Sequence, residues 1–159
     1  MDYAGGNFLF IETGTVLANT AHNWGVAGGS NECLYRNQAG TDNQIMPVMA
    51  GIAACAANRL DMPLNRWFAP LAAGDFGIMD LAQMRCSASV ATGTINFVIG
   101  HPIVWIPCPI LNMVTLTDGV NTAMNLTRIF DDACMAMLEV NKVSTGTTIY
   151  TGQFFTAAG

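Results

Sequence analysis

Ionic side chains are scarce in this sequence. Asp, Glu, Lys and Arg make up 11% of its 159 residues, against about 25% in an ordinary soluble domain. Lysine is almost missing: Lys142 stands alone beside Arg36, Arg59, Arg66, Arg85 and Arg128. Binding to a nucleic-acid backbone depends on clustered basic residues, and these are scattered singly, so direct nucleic-acid binding is not expected. A dispersed monomer needs charge over its surface. The shortage therefore predicts that much of this surface is covered by other subunits.

Other absences narrow the reading further. The five cysteines, at 33, 55, 86, 108 and 134, lie far apart and form no CxxC pair. That excludes a zinc ribbon and argues against a disulfide framework, leaving buried free thiols. No uninterrupted apolar run approaches the roughly 20 residues of a spanning helix. The most apolar stretch, residues 97–111, is broken by Gly100, His101, Pro102, Pro107 and Pro109, so no membrane association is expected. The segment Met1-Asp2-Tyr3-Ala4-Gly5-Gly6 has no basic start before Phe8-Leu9-Phe10-Ile11 and does not read as a secretory signal. No P-loop, GxSxG or dinucleotide fingerprint occurs.

What remains is apolar and turn-rich. Hydrophobic residues reach 52%, with 16 glycines and 10 methionines. One domain over residues 1–159 is expected from length, with an N-terminal arm over about residues 1–10. A chain of this size can bury about 68–70% of its unfolded surface without a metal or disulfide. Residues 7–17 read as a first strand. A Gly- and Asn-rich loop follows over 18–40, with Trp24, Cys33 and Tyr35 as anchors. Residues 45–57 fit a helical stripe or a short edge strand, with strand preferred because of Pro47 and Gly51. Alternation over 78–88, a turn at 90–93 and a return over 94–99 predict a hairpin. Residues 103–106 and 110–117 are further strand candidates. Short helical content is expected over 120–130, and β structure after it, with 147–156 rich in β-formers. The sum predicts a mainly β fold: an antiparallel β-sandwich or jelly-roll-like barrel with one or two short helices.

Few residues carry a chemical signature. Asp75-Phe76-Gly77 spells a kinase triplet without any of its companions and reads as a turn. His22 and His101, even with Glu12 or Glu32, lack metal-ligand spacing, and His101 reads as a core or interface residue. Cys33 beside Glu32 is the least improbable nucleophile, yet a lone Cys and a distant His are weak support. Asp131-Asp132 reads as a solvated turn, and Asn125-Leu126-Thr127 as a chance sequon. No catalytic, cofactor or metal site is assigned, and no enzyme activity is expected. Trp67-Phe68 and Phe154-Phe155 differ from the rest. Adjacent residues on a strand face opposite sides, so one aromatic of each pair is expected to face outward. With Phe8 and Phe10 of the N-terminal arm, these are the expected subunit contacts.

The charge-poor, Gly/Thr/Asn-rich β texture, seen best in Pro47-Val48-Met49-Ala50-Gly51-Ile52-Ala53 and in residues 147–156, resembles bacteriophage capsid decoration, or cement, proteins. The resemblance covers most of the chain and rests on no diagnostic motif. It implies a structural virion protein on the capsid surface, assembled in the host cytoplasm. Its partners would be the major capsid protein and further copies of itself. The alternatives are a β-barrel binding an apolar small molecule, with Trp105 and methionines as lining, and the major coat subunit of a small shell. An enzyme using Cys33 or His101 ranks below both.

Overall fold

A computed structural model of the chain describes residues 6, 8–17, 21–63, 66, 68–89, 91–104, 106 and 134–135. By its backbone contacts the chain divides into two units, Met1–Ile129 and Phe130–Gly159. Of the second unit only Cys134 and Met135 are described, and both are exposed.

The described part of the first unit is built from strands alone. β1 (Phe8–Thr13) shows why: Leu9, Ile11 and Thr13 are fully buried, while Phe8, Phe10 and Glu12 occupy the other face. It lies between β6 (Arg59–Leu60) and β8 (Ile95–Gly100), both antiparallel to it. The pairing with β8 runs unbroken from Phe8↔Gly100 to Thr13↔Ile95. Along the other edge, amides of Asn58, Asp61 and Ala69 donate to the carbonyls of Thr13, Ile11 and Leu9 at 2.6, 2.8 and 2.7 Å. β1 is thus hydrogen-bonded along both sides.

A second antiparallel sheet has the order β4 (Gln44–Ile45), β3 (Leu34–Asn37), β7 (Ile78–Gln83). A third pairs β2 (Asn23–Trp24) with β5 (Met49–Ala50). Isolated bridges join the pieces: Trp24↔Cys86, and Gly6↔Ile78, where Gly6 O accepts from Ile78 N at 2.8 Å. Gly6 is squeezed there. A Cβ would lie 2.5 Å from Ile99 Cγ2 and 2.8 Å from Gly100 O, so only glycine lets the chain pass.

All three sheets feed one core. Leu9, Ile11, Trp24, Cys33, Tyr35, Met46, Met49, Met62, Ala69 and Ile78 form a single buried cluster. Burying each larger side chain contributes about 1.5–3 kcal/mol. The expected anchors Trp24, Cys33 and Tyr35 are all in it.

Mainly β therefore holds. Over 45–57 the preferred strand reading holds in two very short pieces, the end of β4 and β5, linked by the irregular residues 46–48, and no helix forms. Other local expectations fail. The hairpin between 78–88 and 94–99 does not form: β7 pairs with β3, and β8 with β1. β1 offers 94–100 six consecutive rungs, extended by Gly14 N→Thr94 O at 2.9 Å and Thr94 N→Thr15 Oγ1 at 2.9 Å. That long register outcompetes a local turn. Ile103, Val104 and Ile106 lie in no strand; two prolines flank them and lack the N–H a ladder needs. Phe8 and Phe10, expected in an arm, belong to the central strand. The expectations over 110–117, 120–130 and 147–156 lie outside the described residues. Among the described residues no helix is long and apolar enough to cross a membrane.

Candidate interaction face

The strand alternation that buries Leu9, Ile11 and Thr13 turns Phe8 and Phe10 to the opposite side, and their β8 partners Gly100 and Val98 go with them. Phe8 packs edge-on against Phe68, with centroids 4.7 Å apart and rings at 74°, and lies 6.3 Å from Phe10. Phe10 covers Gly100: a Cβ there would sit 3.1 Å from Phe10 Cε2. Val98, opposite Phe10, is 41% exposed. At the far end Asn96 Nδ2 donates to Glu12 Oε2 at 3.2 Å and closes the patch with a polar pair. β8 itself carries no charged residue and is an edge of its sheet among the described residues. On the inner side Phe97 meets Trp24 edge-on at 5.5 Å.

Phe8, Phe10 and Phe68, separated in sequence, are thus brought into one half-buried aromatic cluster. Trp67, Phe154 and Phe155, the other expected contacts, lie outside the described residues, as do Trp105, Cys108, Asn125, Asp131 and Asp132.

Two polar constellations went unseen in the sequence. In the first, Asp61 is fully buried. Its Oδ2 meets His22 Nε2 at 2.8 Å and accepts from Trp24 Nε1 at 2.8 Å, and its Oδ1 accepts from Ile52 N at 2.6 Å. Gly51 lies against His22, where a Cβ would overlap the ring. Every oxygen of the carboxylate is occupied, so the cluster ties β2, the 51–52 segment and residue 61 together. In the second, Asp75 Oδ2 accepts from Tyr35 Oη at 2.6 Å and Oδ1 from Asn37 Nδ2 at 2.9 Å. These bonds, the Tyr35 hydroxyl first, hold the Asp75 carboxyl below its usual range. Burial first, then the Asp75 carboxylate, pushes the Tyr35 phenol up to about 12.

The residues weighed for chemistry sit in unpromising places. Cys33 is buried, and burial above all raises its pKa, although Arg85 N donating to its sulfur at 3.3 Å works the other way. A thiol kept protonated is a poor nucleophile. Glu32 beside it accepts from Gly28 N at 3.2 Å. His101, expected in a core or interface, is exposed, because the chain has left the β8 ladder at that point. Cys33, Cys55, Cys86 and Cys134 are all free. Among the described residues no three His, Cys, Asp or Glu side chains group as metal ligands.

Compared with protein-family models, curated proteins and solved structures, the chain gives no match.

Proposed function

We propose that the chain is a structural subunit of a virus particle, a decoration or cement protein on the outer face of a phage capsid. Its partners are the major capsid protein and other copies of itself. One observation carries this reading: a half-buried aromatic cluster lies on the face of the β6-β1-β8 sheet opposite the buried Leu9 and Ile11, beside an uncharged edge strand, in a chain with 11% charged residues. An aromatic surface of this kind suits protein contact. An edge strand supplies backbone donors and acceptors for pairing with a partner sheet. Binding only the assembled shell stabilises that state by mass action. The net charge of −5 suits an outer surface rather than one facing a packaged genome. The sandwich or jelly-roll-like closure expected from the sequence belongs to the same proposal, with the two three-stranded sheets as its layers.

The test is retention by particles. Purified virions from the source of this sequence, banded on a gradient and analysed by mass spectrometry, are expected to contain the chain in a fixed ratio to the major capsid protein. Its absence from intact particles overturns the reading.

A further inference from the structure

We infer that the open edge of β8 pairs with itself: it joins β8 of a second copy, antiparallel, about a two-fold axis at Phe97, and turns two three-stranded sheets into one. The inference rests on the reading of the chain as a self-associating coat subunit and names the contact that this association uses.

The backbone of β1 decides which groups of β8 are free. Leu9, Ile11 and Thr13 give their carbonyls to Ala69, Asp61 and Asn58 on the β6 side. Peptide groups alternate in direction along a strand, so Phe8, Phe10 and Glu12 turn theirs to β8, where they meet Gly100, Val98 and Asn96. Ile95, Phe97 and Ile99 therefore aim their N–H and C=O groups away from β1. None of these groups has a hydrogen-bond partner among the described residues. The edge is also open to solvent: Asn96, Phe97 and Val98 are exposed in succession.

Natural edge strands are protected by charge, proline or a bulge. β7, the other six-residue strand at a sheet edge, has such protection: Asp80 stands on it, and its register with β3 shifts twice. β8 has none. Its pairing with β1 is unbroken, it carries no charge, and Pro102 comes only after its end.

The occupant follows from the same facts. Two-fold pairing sets a strand against its own residues, so any charge on it would face its like. A strand from another protein meets no such restriction and can complement a charge. A strand with no charge at all suits its own copy. The side chains match as well. With Phe97 on the axis, Phe97 meets the partner's Phe97 and Ile95 meets the partner's Ile99, on the face that β1 lines with Leu9, Ile11 and Thr13. Phe97 is 37% exposed at the rim of the core, edge-on to Trp24, and its own counterpart covers the open side as a cross-strand aromatic pair. A two-fold dimer is the commonest closed assembly.

The register makes a sharp test. Asn96 and the partner's Val98 become a non-hydrogen-bonded pair, whose Cα atoms approach to about 4.5 Å, within the span of a disulfide. Both positions are exposed, so a cysteine there leaves the core intact. Asn96→Cys and Val98→Cys are made separately in a Cys134→Ser background, because Cys134 is exposed. Mixed and treated with oxidised glutathione, they are expected to give a covalent dimer on a non-reducing gel, linked 96 to 98 by peptide mapping. Neither variant alone is expected to do so. Light scattering over a concentration series compares the full chain with Phe97→Pro, which deletes the outward N–H and keeps the β1 ladder. The full chain is expected to dimerise, and Phe97→Pro to lose about 30-fold in affinity, the effect of two hydrogen bonds on the axis; its melting temperature checks that it folds. A full chain that stays monomeric overturns the pairing, as does a mixture that cross-links no more than either variant alone. A monomer present in virions sinks the pairing and leaves the coat reading standing. A dimer linked through β8 but missing from virions does the reverse.

Discussion

Asp61 illustrates how one side chain can hold three segments. Its carboxylate serves the buried His22 and Trp24 side chains and the backbone amide of the partly exposed Ile52. Asp61→Ala leaves the His22 and Trp24 ring nitrogens buried and unsatisfied and is expected to cost about 3–5 kcal/mol, read as a lower midpoint in urea unfolding. Tyr35 makes a pH prediction. Its phenol is raised to about 12 in the folded chain, against about 10 in an unfolded one. The folded state therefore holds this proton more tightly. The resulting stability is complete below about pH 10 and is lost as pH rises towards 12. Tyr35→Phe is expected to flatten that alkaline limb in a series of melting curves. Asp75 behaves oppositely: its lowered pKa gives stability that is lost as pH falls through the acid range. None of these partnerships was legible beforehand. His22 and Asp61, or Tyr35 and Asp75, are about 40 residues apart with no period linking them, and the Asp75 turn looked like an accident of spelling.

At the scale of elements, alternation was legible where one face is buried. Phe8-Leu9-Phe10-Ile11-Glu12-Thr13 reads as a strand and is one, and the outward placement of Phe8 and Phe10 follows from the same period. Partner choice was not legible. Residues 78–83 and 95–100 both look like strands, and both are. Sequence proximity suggested pairing them, whereas the long register available on β1 decided otherwise. Bulges between β3 and β7 also break the simple alternation, leaving Met79 and Asp80 exposed side by side. Gly6 gave no signal at all, yet its place is specific. Gly6→Val would press Cβ into Ile99 and the Gly100 carbonyl. It is expected to cost about 1–3 kcal/mol by overpacking, measured as a drop of several degrees in melting temperature.

For the whole molecule, composition was the most informative signal, since a chain with so few ionic groups has little to gain from long-range electrostatics. Self-association of the full chain is accordingly expected to change by less than about fivefold between low and high sodium chloride, the range that one exposed ion pair can account for. Sedimentation equilibrium at several salt concentrations checks this; a steep loss with salt would point to a charged interface instead.

The pairing of β1 also has a cost in time. Thr13 meets Ile95 and Phe8 meets Gly100, so the greasy strand leaves the ribosome well before its partner exists. At about 5–20 residues per second, that gap leaves the strand waiting several seconds. Contacts so remote along the chain also slow folding itself. During that interval Phe8-Leu9-Phe10-Ile11 is available to chaperones, or to the same strand of a neighbouring nascent chain.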